Sequence, residues 1–146
     1  MDEILASIKS IMTNTSLDES FFETVLKRLV SFGYTPKEDD AWTICFCMQK
    51  VENHIKNSCN ITTVPDGLFH IAVDMVCGEF LLALQRTGKL ELENLDLDGA
   101  ITQIHEGDTT VQFGNGSSDE EKFNVFVNYL LTKGEGDFVC YRKLKW

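Results

Sequence analysis

Residues 37–58 read KEDDAWTICFCMQKVENHIKNS, and this stretch decides the fold. Its apolar residues recur every three or four positions, which is the period of an α-helix. Trp42, Phe46 and Cys47 lie beside the main apolar stripe and widen it past half of the circumference. A helix with so wide an apolar surface is either central in its own domain or covered by a neighbouring subunit. The main stripe consists of Ala41, Ile44, Cys45, Met48, Val51 and Ile55.

Four other segments carry the same helical period, two before this stretch and two after it. The second of them opens with a capping box, in which Ser16 caps the helix and Glu19 reaches back to it. Gly33 suits the left-handed residue that ends this helix, and Thr35 with Pro36 provides a start signal for the central one. The four segments are residues 1–13, 16–33, 65–88 and 118–134.

Between the last two of these helices the apolar period changes to two. Gly107-Asp108 fits a type II′ turn, which predicts a β-hairpin over residues 101–113. In that register Ile104 lies opposite Val111, and Phe113 shares their face. A two-stranded hairpin is marginal by itself, so this one is predicted to pack on helices or on another subunit.

The expected fold is therefore mainly α. A length of 146 residues suits one domain with a core of its own. We expect a bundle of about five helices over residues 1–136, which includes the hairpin, and an extended C-terminal tail over residues 137–146. The tail contains Arg142, Lys143 and Lys145 against the single acid Asp137, and it interleaves them with aromatic residues. Two alternatives stay open for it: a strand folded back on its own domain, or an arm that docks onto a partner.

Overall charge and composition narrow the class of partner. The formal net charge of −10 repels phosphate at long range, which counts against a nucleic-acid-binding protein. The acidic N-terminus lacks the features of a secretory signal, and no run of 18 apolar residues predicts a membrane span. Five cysteines are an odd number, which favours reduced thiols in a core over a disulfide framework.

Neither a metal site nor a catalytic motif is predicted. Residues 94–99, NLDLDG, imitate the start of a calcium loop, but His105 occupies the position of its closing glutamate. Cys45 and Cys47 are two residues apart, so on a helix their side chains diverge and cannot share a zinc ion. The familiar nucleotide, hydrolase and metalloprotease motifs are absent from the sequence. We therefore expect a protein that is not an enzyme and that holds no cofactor and no metal.

Several stretches carry a resemblance to a known group of proteins. The chain resembles the head–tail connector proteins of tailed bacteriophages, also called adaptor or head-completion proteins, in the lambdoid and siphophage connector superfamily. The match covers roughly the last two thirds of the sequence, and EGDTTVQF and YRKLKW are its most specific parts. The matching stretches are residues 51–60, 64–68, 73–81, 104–113 and 137–146.

The resemblance implies a structural protein of the virion neck, made in the bacterial cytoplasm. Such a subunit assembles with copies of itself as a twelve-fold ring under the portal protein, supports the next neck or tail-completion protein, and passes DNA only as cargo. The alternative is a small helical interaction adaptor outside virions. Expected subunit contacts are Trp42, Ile104, Val111 and Phe113. Expected portal-docking residues are Phe138, Tyr141, Arg142, Lys143, Leu144 and Trp146.

Overall fold

The structure is a computed structural model that describes residues 2–105 and 118–143, and for residues 102–105 the backbone only. The mainly α expectation is confirmed, since the described ranges contain helices and no strand. The α-helices are α1 (Asp2–Ile11), α2 (Glu19–Ser31), α3 (Ala41–Cys59), α4 (Phe69–Arg86), α5 (Leu97–His105) and α6 (Asp119–Thr132). Within the described ranges, four 3-10 helices join or extend them: Glu38–Asp40, Asp66–Leu68, Leu92–Asn94 and Lys133–Tyr141.

Helix α4 lies at the centre of the bundle and packs against α2, α3 and α6. Gly78 allows α6 to approach closely, because a Cβ there would press on Leu130 and Leu131 of α6. Two ion pairs tie its flanks: Arg28 of α2 to Asp74 at 2.9 Å, and Lys50 of α3 to Glu79 at 3.1 Å. Helix α1 lies on α3, and α5 lies on α6.

The start of α2 differs from its prediction. Asp18 caps the helix and its carboxylate accepts the backbone N–H of Phe21 at 3.0 Å, so the predicted box of Ser16 and Glu19 is wrong. Ser16 instead donates its backbone N–H and its hydroxyl to Glu52 of α3. The end of α2 agrees with the prediction, since Gly33 has φ +96°. Because Ser16 donates both of these groups to the buried Glu52, Asp18 and not Ser16 caps α2.

The predicted hairpin is the main correction to the fold. Residues 101–105 form the end of α5, so Ile104 lies on a helix and the first strand does not form. Ala100 and Ile101 are buried here, on a helix that packs against α6. Helical packing therefore overrides the alternating pattern read from the sequence. Val111 and Phe113, on the other predicted strand, lie outside the described residues.

The start of helix α6 agrees with its prediction, and its end differs from it. Its predicted cap is confirmed, because the Ser118 hydroxyl accepts the backbone N–H of Glu121 at 3.2 Å. Its predicted end at Gly134 is replaced by a continuation into the 3-10 helix Lys133–Tyr141. This continuation brings the tail back over the end of α3, where it contacts the domain.

Candidate functional site

Trp42 and Phe46 form an exposed aromatic pair on the first turns of α3. Their rings are stacked, with centroids 5.6 Å apart and planes 19° apart. The exposed fractions are 66% for Trp42 and 54% for Phe46, although both are large apolar side chains. Ile11 of α1 is also exposed and lines the same shallow depression. Exposed apolar clusters of this kind mark interaction surfaces.

Acidic residues flank this pair. Glu38 and Asp39 are exposed on the 3-10 helix that leads into α3, where negative charge is favourable at the helix N-terminus. Asp40 fixes the turn, because its carboxylate accepts the Tyr34 hydroxyl at 2.7 Å and the Lys37 backbone N–H at 2.9 Å. Burial, together with that hydrogen bond to Asp40, raises the pKa of Tyr34 well above its ordinary value, so Tyr34 stays a donor.

We call these residues the aromatic–acidic patch: Ile11, Glu38, Asp39, Trp42 and Phe46. The first turn of α1 adds Asp2 and Glu3, which are exposed, and α1 contacts the turn at residues 38–40. The sequence predicted Trp42 as a contact residue and placed Phe46 in the widened stripe without assigning it a role. The spacing of four residues between the two was the signal that they share a face.

Of the two alternatives for the tail, residues 137–143 fold back on the domain, and residues 137–141 do so in a 3-10 helix rather than a strand. Phe138 is 3% exposed and its ring lies 5.8 Å from the ring of His54, so this expected docking residue belongs to the core. Tyr141 is partly buried beside Gly67, where a Cβ would overlap the Tyr141 hydroxyl. Burial of Phe138 is the physical reason that the segment packs on the domain rather than extending from it.

Residues 142 and 143 close the end of α3. The Arg142 Nε donates to the Ser58 carbonyl at 3.1 Å, and the Lys143 backbone N–H donates to the Cys59 carbonyl at 2.7 Å. Asn60, left-handed at φ 55°, donates its side-chain amide to the Lys143 carbonyl at 3.3 Å. The last carbonyls of a helix lack partners within it and favour nearby cations, which explains this placement.

The exposed side chains of residues 139–143 form a second surface, which we call the basic patch: Val139, Cys140, Arg142 and Lys143. Val139 is 65% exposed. Of the other expected docking residues, Leu144 and Trp146 lie outside the described residues. The structure thus brings Arg142 and Lys143 together on the surface and separates them from Phe138.

A cavity between α4, α6 and the 3-10 helix that follows α6 has a volume of about 170 Å³. His70, Asp74, Tyr129, Lys133 and Asp137 contribute to its wall. Asp74 already pairs with Arg28, and the Lys133 ammonium lies 5.0 Å from the centre of the Tyr129 ring. The Tyr129 hydroxyl is buried and has no hydrogen-bond partner in the described part of the chain. The wall contains no serine, threonine or cysteine nucleophile, and the space suits ordered water.

The cysteines behave as core residues with one exception. Cys45, Cys47, Cys59 and Cys77 are buried, and Cys140 is exposed. Burial raises the pKa of the Cys45 thiol to about 11 and, with the nearby Glu79, that of Cys47 to about 12. Thiols with such values hold little thiolate near neutral pH. Among the described side chains, no three His, Cys, Asp or Glu residues are placed to hold a metal ion.

One helix is long and apolar enough to cross a membrane by length and composition alone. It spans residues 66–86, with a mean hydropathy of 1.7. The core helix of a folded domain passes the same test, and α4 buries Phe80, Leu81 and Leu84 against its neighbours. Its apolar character is accounted for by its central position in the bundle.

Comparison with known protein families, with curated proteins and with solved structures finds no match to this chain.

Proposed function

We propose that this protein is a structural subunit of a bacteriophage neck, which assembles as a ring under the portal and joins the head to the tail. The observation that carries the proposal is the exposed Trp42–Phe46 stack at the acidic end of α3. Two half-exposed aromatic rings on a rigid core helix are typical of an interface residue pair. The proposed type of assembly, a ring under the portal, follows from the sequence resemblance to head–tail connectors.

Charge and chemistry support the same proposal. The net charge of −10 suits a channel wall through which DNA slides as cargo without being held. The wall of the cavity beside Tyr129 has no serine, threonine or cysteine nucleophile, which supports a binding role. The partners in this proposal are the portal protein, further copies of this chain and the next neck or tail-completion protein.

Purification with the portal tests the proposal. The full chain is mixed with the portal protein of the same phage, and the complex is examined by mass photometry and cryo-electron microscopy. We expect a ring of copies, twelve-fold, on one face of the portal. A stoichiometry of one or two copies per portal, or no complex at all, would refute the neck function. A Trp42→Ala variant should form this ring less well, because it removes half of the aromatic stack.

A further inference from the structure

The two ends of α3 carry surfaces of opposite charge. The aromatic–acidic patch lies at the start of the helix, and the basic patch lies on its last turn, where Arg142 and Lys143 bind the Ser58 and Cys59 carbonyls. Helix α3 has 19 residues, which places its ends about 28 Å apart at 1.5 Å per residue. Each end also exposes apolar side chains, Trp42 and Phe46 at one and Val139 at the other.

We propose that the basic patch of one copy docks on the aromatic–acidic patch of the next copy. This inference rests on the proposed ring function and names the surfaces that would build the ring. Because the two patches lie at different places on one chain, their contact is heterologous. Each added copy therefore leaves one patch of each kind free until the ring closes.

The chemistry of the two patches is complementary. The Arg142 guanidinium has several N–H donors, and the contact with Ser58 uses only its Nε. Its flat face suits stacking on Trp42, while its remaining donors suit the carboxylates of Glu38 and Asp39. Lys143 adds a second positive charge, and Val139 supplies an apolar contact for Phe46. Aromatic burial then provides affinity, and the charges fix orientation.

The size of the patches predicts a weak contact between free copies. Stable complexes bury roughly 1,200–2,000 Å² in total, more than a stacked aromatic pair and a short tail segment provide. Isolated copies should therefore associate only at high concentration. A template that holds many copies side by side raises their effective concentration and favours the closed ring. Salt should weaken the contact, because exposed charges contribute to it.

Site-directed crosslinking tests the geometry, using the exposed Cys140 as one reactive partner. An Asp39→Cys variant of the full chain is concentrated and treated with a short bismaleimide. We expect a ladder of covalent dimers, trimers and larger species, with peptide mapping that joins residue 39 of one copy to Cys140 of another. Lys27→Cys on α2 is the matched control and should give no ladder. Products joined only through Cys140 to Cys140 would overturn the proposal.

Charge exchange tests the pairing independently of crosslinker geometry. Glu38→Lys with Asp39→Lys, or Arg142→Glu with Lys143→Glu, should weaken self-association at least tenfold in sedimentation velocity at high protein concentration. All four changes in one chain should restore it. Lys27→Glu with Glu120→Lys, at exposed positions on α2 and α6 outside both patches, should leave it unchanged. Melting curves establish that each variant is folded. A failure of the combined variant to recover would overturn the proposal.

Assembly on the portal separates this inference from the neck function. Rings that form on portal with unchanged affinity in both charge-reversed variants would overturn the inference and leave the neck function standing. Self-association that follows the charge-exchange pattern without any binding to portal would support this inference and refute the neck function. If the aromatic–acidic patch instead binds a basic segment of another protein, binding should depend on Glu38 and Asp39 and stay unchanged in the Arg142 and Lys143 variants. That result would also overturn the copy-to-copy contact.

Discussion

The Glu52 carboxylate accepts two hydrogen bonds from Ser16, one from its backbone N–H at 2.8 Å and one from its hydroxyl at 2.6 Å. Thr15 donates a third at 2.8 Å, and the Lys56 ammonium lies 3.3 Å away. Glu52 is 4% exposed, so a buried carboxylate on α3 binds the segment that connects α1 to α2. This network fixes how α1 lies on α3.

Removal of the Glu52 carboxylate should destabilise the domain strongly. Glu52→Ala removes the carboxylate that accepts from Thr15, which is partly buried, and from Ser16, which is exposed, and loss of hydrogen bonds to a charged group costs about 1.5–3 kcal/mol. Glu52→Gln keeps the shape and one acceptor oxygen, so about 1–2 kcal/mol is expected. Urea unfolding followed by circular dichroism measures both. Equal effects from the two variants would contradict a role for the charge.

Glu52 should also make the stability depend on pH. Burial alone raises the pKa of Glu52, but the hydrogen bonds from Ser16 and Thr15 and the charge of Lys56 outweigh burial, so the pKa lies below its ordinary value of 4.5. The stabilisation is therefore present above pH 4.5 and is lost as the pH falls through the lowered pKa of the folded state. Unfolding free energies measured from pH 7 down to pH 3 should fall more steeply in the native chain than in Glu52→Gln. Parallel curves would show that other carboxylates dominate.

Trp42→Ala should separate stability from assembly. Because Trp42 is 66% exposed, its loss should change the free energy of unfolding by less than about 0.5 kcal/mol. Ring formation on portal should fall at least tenfold, since a central interface aromatic contributes 2 kcal/mol or more. Val125→Ala is the matched control, because Val125 is apolar and 41% exposed on α6. Equal losses of assembly in both variants would point to a general effect of surface apolarity.

Two truncations should behave differently. Removal of residues 137–146 deletes the buried Phe138, and loss of a buried phenylalanine costs about 3–5 kcal/mol, so the melting temperature should drop by many degrees. Removal of residues 144–146 keeps the hydrogen bond between Lys143 and Cys59, so the fold should persist. If the expected portal-docking role of Leu144 and Trp146 holds, this shorter deletion weakens portal binding. Full binding without them would place the portal contact elsewhere.

Thiol labelling should distinguish one cysteine from the other four. A maleimide at neutral pH should modify Cys140 rapidly, because it is exposed, while the buried Cys45 and Cys47 react slowly at pKa values of about 11 and 12. Mass spectrometry should find one label on the folded chain and five after denaturation. Fast labelling of a second site would show that the bundle opens locally around that residue.

The helical parts of this fold follow from local patterns in the sequence. The apolar period of residues 37–58 and the caps at Ser118 and Gly33 act over a few residues, so they can be read without knowing the neighbours. The same pattern drew attention to Trp42, since it widens the apolar stripe beyond what one contact face needs. Phe46, one turn later, carried the same signal.

Long-range packing decided the remainder. The alternation over residues 101–105 predicted a strand, but burial of Ala100 and Ile101 beside α6 makes this segment helical. Glu52 accepts hydrogen bonds from Ser16, 36 positions away in the chain, and this partnership replaced the predicted cap. Phe138 packs beside His54, and this contact decides that residues 137–143 fold back on the domain, the choice that the sequence left open. The sequence by itself determined five of the helical segments, α1 to α4 and α6, because helix period and capping are local. Only the tertiary structure decided which apolar residues are covered and which, like Trp42 and Phe46, stay exposed for a partner, because burial depends on elements distant in the chain.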